Sequence, residues 1–189
     1  MSFVLLAVLV LAMLWVIGAY NKLVALKNDV VNAWKQIDVQ LKRRHDLVPN
    51  LVSAVKGAME FERGTLEAVI AARNKAVSAQ GVGAVARAEG ELTQALGRLF
   101  ALSERYPELR ATANIQQLQE ELTSTENRIG FARQLYNDTA TEYNTRQMQF
   151  PWNLLAGLAR AEPAELWEIE DAAERAVPRV DLSSNKPPA

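Results

Sequence analysis

Apolar residues open the chain without interruption and then settle into a helical rhythm. Phe3 to Ile17 reads FVLLAVLVLAMLWVI, extended by Gly18 and Ala19, with no charged side chain before Lys22. Seventeen helical residues cover roughly 26 Å, the short end of what crosses a bilayer. Eleven of the seventeen are Leu, Val, Ile or Phe, which favours insertion by about 3–7 kcal/mol. A cleaved signal peptide wants a basic leader and a small-x-small cleavage site, and this segment has no Lys or Arg ahead of it. A buried core helix is the other rival. The favoured expectation is a retained signal anchor over residues 1–20. Phe3, Leu6, Leu9 and Leu14 then face lipid, and Trp15 and Tyr20 lie near an interface.

From Leu23 onward apolar residues recur three and four apart. The stripe runs Leu23, Leu26, Val30, Ala33, Ile37, Leu41, then Val48, Val52, Val55, Met59, Leu66 and Val69, the signature of one packed helix face. Pro49 removes one backbone donor and frees the carbonyl of His45. Leu41 and Val48 keep phase across that site, which predicts a kink at Pro49 rather than a break. The helix so predicted runs through to the glycines Gly81 and Gly83, which mark a turn. A second stripe follows: Val85, Ala88, Leu92, Ala95, Leu99 and Leu102, ending before Tyr106-Pro107. The third is the longest: Ile115, Leu118, Leu122, Thr125, Ile129, Ala132, Tyr136, Thr139 and Tyr143, stopping before Phe150-Pro151. A fourth, shorter helix is predicted over AEPAELWEIEDAAERA, with Pro163 in its first turn. The expected fold is all-α: an N-terminal transmembrane helix continuing into a long-helix, antiparallel, four-helix-type bundle over residues 21–175. The Pro-rich tail, 176–189, is expected to be disordered.

Charge adds orientation. Lys22 and Lys27 follow the apolar run closely, so positive flanks predict an outside N-terminus and a cytoplasmic body. Residues 21–78 carry ten basic and six acidic side chains, 79–160 eight and nine, and 161–189 three and seven, giving +4, −1 and −4. The acidic end can fold back on the basic half or bind its equivalent in another copy. A net charge of −1 excludes a generally basic nucleic-acid binder.

Candidate chemistry is sparse. There is no Cys and one His, which removes thiolate sites and histidine clusters; no metal or cofactor is expected. His45, in Lys42-Arg43-Arg44-His45-Asp46, reads as an interhelical or solvated residue beside the kink. The helix carboxylates, among them Glu120, Glu121, Glu126 and Asp138, read as solvated faces with i,i+4 pairs. No nucleophile elbow or phosphate loop is present, so no enzyme is expected. Asparagines recur near the seams at 28, 32, 50, 127, 137 and 144, beside Tyr136 and Tyr143. With Asn21, these read as buried register-fixing amides, against a peptide- or ligand-binding groove. Phe150, Trp152, Leu154, Leu155, Leu158 and Trp167 form an apolar surround at a polar end, either a cap on the bundle or a docking surface for another subunit or the membrane.

The stretches YNKLVALKNDVVNAWKQIDVQLKRRHDLVPNLV, LGRLFALSERYPELRA, LQEELTSTENRIGFARQLYNDTATEYNT and FPWNLLAG resemble the LemA family of bacterial membrane proteins. The resemblance covers about residues 20–157 and implies a bundle of long helices on one N-terminal span, with the body cytoplasmic. It implies no particular reaction. After FPWNLL, residues 160–167 are more acidic and Ala-rich than the family pattern. These features together predict a non-enzymatic scaffold in contact with membrane lipid, self-assembling or binding other membrane proteins. The alternative is an adaptor for an envelope protease or stress-response complex.

Overall fold

The computed structural model describes residues 1–57, 59, 62–110, 112–157 and 161–168. Among them there are helices and no strands, an all-α bundle as the periodicity predicts. Helix α1 spans Ser2–Val55, α2 Arg63–Ser78, α3 Val82–Ser103, the single-turn α4 Pro107–Arg110, α5 Ala113–Met148 and the single-turn α6 Asn153–Ala156.

Helix α1 passes through Pro49 without a break. The residue whose carbonyl the proline leaves bare is His45, four positions earlier. Arg73 of α2 supplies the missing donor, its Nε lying 3.2 Å from the His45 oxygen. A neighbouring helix thus repairs the gap in the ladder. The expected continuation of this helix to the glycine turn is corrected: α1 stops at Val55, followed by a turn at Lys56-Gly57. Leu66 and Val69 are buried on α2, which folds back along α1 and brings Arg73 beside His45. Gly57 is a poor helix former with no side chain to bury, so the chain reverses where it lies. The stripe keeps helical spacing on both sides because both helices face one core.

Helices α1 and α5 run antiparallel along their length. Trp34 meets Tyr136 and Arg44 meets Glu126, the α5 number falling as the α1 number rises, and beyond the end of α5 Trp152 meets Trp15. The seam predicted for α5 is its buried face, except that Ala140 takes the place of Thr139. Helices α2 and α3 form a hairpin around Gly81, whose φ of +83° suits glycine. The hairpin covers mainly the far half of the α1–α5 pair, and Val85 at the start of α3 joins the near half. There Val48, Leu51 and Val55 pack with Val69, Leu92 and Leu118. In the near half, Leu23 to Leu41 pack with Ile129 to Tyr143 and with Trp167.

The fourth predicted helix is absent over its described part. Residues 161–168 are extended and lie along α5 as a strap. Its predicted remainder and the tail 176–189 lie outside the described residues. The Arg73 contact makes a double-mutant prediction. Arg73→Ala should cost about 1 kcal/mol with Pro49 in place, the net worth of one hydrogen bond to a buried acceptor. It should cost only a few tenths in a Pro49→Ala background, where the helix supplies its own donor. Denaturant titration of the four chains measures the coupling.

Candidate functional sites: an ion layer and a clasped strap

Two polar constructions interrupt the apolar core. The first lies between its halves. Arg44 falls between Leu41 and Val48 on the buried stripe of α1, and Glu89 shares the buried face of α3 with Val85 and Leu92. Both side chains are about 4% exposed. Arg44 Nη1 donates to Glu89 Oε2 at 3.1 Å, and Nη2 donates to the Thr93 hydroxyl at 2.8 Å. Nη1 also lies 2.9 Å from Glu126 Oε2 on α5, a charge contact without hydrogen-bond alignment. His45 Nε2 sits 2.6 Å from the other Glu89 oxygen. One guanidinium therefore binds α1 to α3 and α5, and one carboxylate is held by two neighbours in sequence. His45 is the interhelical residue expected. Arg44 and Glu89 were not expected as a site, although the signal was present: each puts a charge on an apolar seam.

A histidine on a buried carboxylate is also half of an acid–base arrangement. Three or more groups able to hold a metal ion do not cluster among the described residues. The open groove, about 450 Å³ between α1 and α5, is lined by Val39, Phe131 and Leu135 with Lys35 and Arg128 at its rim. It holds no member of the ion layer.

The second construction is the clasp on the strap. Asn144 binds Ala164 twice, Nδ2 donating to the carbonyl at 2.8 Å and Oδ1 accepting from the amide at 2.7 Å. Asn137 repeats this on Trp167 at 3.0 and 2.9 Å. The two asparagines are seven residues apart on a helix, roughly 10.5 Å. The residues they hold are three apart on extended chain, roughly 10 Å. The match lets one helix face read a peptide backbone at two points. Beside these grips the Tyr136 hydroxyl donates to the Glu165 carbonyl at 2.7 Å, and Gln147 donates to the Glu162 carbonyl at 3.4 Å. The Glu165 carboxylate accepts from the Gly83 amide at 3.2 Å, in the first turn of α3, where a helix end favours an anion. A Cβ on Gly83 would stand 2.7 Å from that oxygen, so glycine admits the contact.

The seam asparagines at 137 and 144 are thus peptide-gripping amides, and the peptide they grip is the chain's own. Trp167 does not join the aromatic end. It is 4% exposed, packed near Trp34 at 5.9 Å with Arg133 at 5.8 Å from its ring. Leu155 is buried as well. Phe150 and Leu154 are exposed, beside Trp152, whose ring lies 6.3 Å from Trp15 and 5.6 Å from Arg146. Leu158 lies outside the described residues.

Phe3, Leu6, Leu9 and Leu14 are all at least 60% exposed, and Trp15 and Tyr20 more than 40%. Helix α1 is long and apolar enough there to cross a membrane by length and composition. An exposed apolar helix that runs unbroken into an antiparallel bundle, with an extended strap closing the near half, defines a class of helical protein on a single candidate span. The model of the LemA family matches residues 33–182, and the chain belongs to that family. It is similar to the magnetosome proteins MamQ 2 and MamQ 1 of Paramagnetospirillum magneticum, each 26% identical across 82% of this chain and 66% of theirs. It is also similar to Protein LemA of Metamycoplasma hominis, 25% identical across 90% of this chain and 76% of that one. The chain therefore spans just under two thirds of the length of the magnetosome relatives.

Two predictions follow from the polar constructions. Arg44→Met should destabilise by about 3–5 kcal/mol, because it leaves the buried Glu89 carboxylate without its guanidinium and with only His45 beside it. Arg44→Met with Glu89→Leu should recover most of that loss by joining the two apolar clusters; thermal denaturation in detergent reads both. The second concerns pH. Burial first, and the Glu165 charge second, raise the Tyr136 hydroxyl above its usual 10.0. A folded value above the unfolded one gives stability that is complete below pH 10 and lost as pH rises through the folded value. The 5-fluorotryptophan resonance of Trp167 should therefore shift toward its solvent-exposed position only above pH 10. Tyr136→Phe should weaken that pH step, leaving the part that Tyr143 contributes through burial and Glu162.

Proposed function

We propose that this protein is a non-enzymatic, membrane-anchored scaffold that works by contact, self-assembling in the bacterial inner membrane with its N-terminus outside and its body in the cytoplasm. The observation that carries this reading is the division of labour along α1. One helix of 54 residues exposes its large apolar side chains from Phe3 to Ile17 and then buries a single stripe from Leu23 to Val55. Nothing described in the protein covers the first part, and lipid is the solvent that fits it.

The aromatic end supports the same placement. Antiparallel pairing sets the end of α5 near the level of Lys22, and the following turn beside Trp15. Phe150, Leu154 and Met148 are exposed at that level, with Trp152, Tyr20 and Arg146 around them. Aromatic rings with basic neighbours suit the boundary between acyl chains and headgroups. In this reading Phe150, Trp152 and Leu154 act as a second foot beside the span.

The adaptor reading draws on one feature, the apolar groove between α1 and α5 with Phe131 73% exposed at its edge. It offers a lateral contact to another membrane protein.

Single-tryptophan chains in vesicles of brominated lipid test the anchor. Quenching is expected for Trp15 and Trp152 and not for Trp34 or Trp167. Recovery of the intact chain from a salt-washed aqueous fraction overturns the reading. Self-assembly is tested by energy transfer between labelled copies at increasing density in the same vesicles, where a flat baseline counts against it.

A further inference from the structure

We infer that the groove holding residues 161–168 is a peptide-binding site, and that in the membrane it takes the same segment from a second copy of this chain. The inference deepens the scaffold reading and rests on it, since it says how copies join.

Asn137 and Asn144 make four hydrogen bonds to the strap, and all four reach only its backbone. Such contacts ask for an extended chain, not for a particular sequence. Selection comes from two side chains. Trp167 fills the space between Trp34, Tyr136 and Arg133, and Glu165 caps α3 through the Gly83 amide. The ligand class is therefore an extended peptide with an acidic residue two positions before a tryptophan. The one peptide known to fit is the strap, and every copy carries it.

A neighbour's strap makes the same contacts as the chain's own, so exchange forfeits none of them. The cis strap has only the advantage of proximity, and confinement of copies to one plane reduces that advantage. Reach is sufficient: residues 157–163, drawn out, span roughly 24 Å, about two helix diameters. Charge agrees in sign, since residues 161–189 are net −4 and residues 21–78 net +4.

The test separates groove from strap on two full-length chains in phosphatidylcholine–phosphatidylglycerol vesicles. Trp167→Ala keeps the groove and spoils the strap. Asn137→Ala with Asn144→Ala keeps the strap and spoils the groove. Mixed and labelled for energy transfer, the pair holds one intact site between unlike copies. Transfer in the mixture should exceed that of either variant alone at least threefold, and the synthetic peptide AEPAELWE should abolish the excess. Equal transfer in all three samples overturns the inference; if wild-type copies still associate, the scaffold reading survives, and if they do not, both fall. Circular dichroism checks that the variants are folded. A second measurement uses labelled AEPAELWE on the Trp167→Ala chain. Binding at least tenfold weaker after adding the two Asn→Ala changes supports the inference, and binding indifferent to them overturns it.

Discussion

The position of every long helix but one depends on the guanidinium of Arg44. It sits where two apolar clusters meet, and its ion and hydrogen-bond partners come from α3 and α5. A hydrophobic seam tolerates sliding by a heptad, because one apolar layer resembles the next. A buried charge does not, since any other register strands it away from Glu89 and Glu126. The apolar stripes hold the helices together, and this layer determines which residues stand opposite one another. The remaining long helix, α2, is tied to the same place through Arg73 and the carbonyl that Pro49 leaves open.

That register has a second effect at the near half. The α2–α3 hairpin reaches the near cluster only at its turn and the start of α3, so without the strap α1 and α5 would present Trp34, Tyr136 and Tyr143 to water. The strap covers them, and does so with unpaired backbone on an extended chain. Buried backbone groups need partners, and side-chain amides have one donor and one acceptor face to offer. The asparagines at 137 and 144 meet that need in matching geometry. The raised Tyr136 and Tyr143 hydroxyls report the same covering: burial is the larger cause at each, with the strap carboxylates Glu165 and Glu162 adding to it.

Much of this was legible from residue spacing. The α5 seam, the α3 stripe and the exposed apolar start of α1 follow from steps of three and four. Spacing reports that a face is buried but not against what, so the stripe from Leu23 to Val69 looked continuous although Gly57 lies at a reversal. The strap was hidden because AEPAELWEIEDAAERA has helical composition, and three-dimensional neighbours outweighed local preference. Arg44 and Glu89 were hidden differently. A charge on a seam position reads as an exception until its partner is known, and the partner is 45 residues away in the chain. The asparagines were recognised as amides needing partners, while the identity of the partner was a tertiary fact.

The unbroken course of α1 through Pro49 has a mechanical consequence. From Tyr20 to Val55 the helix extends roughly 52 Å beyond the apolar segment, with no break in its helical course. With the apolar segment anchored in a bilayer as proposed, a 10° change in its inclination would swing the distal tip by roughly 9 Å, since tip travel scales with arm length. Bilayer thickness and curvature alter such inclination. In that proposed placement, small disturbances in lipid would become large displacements at the far pole.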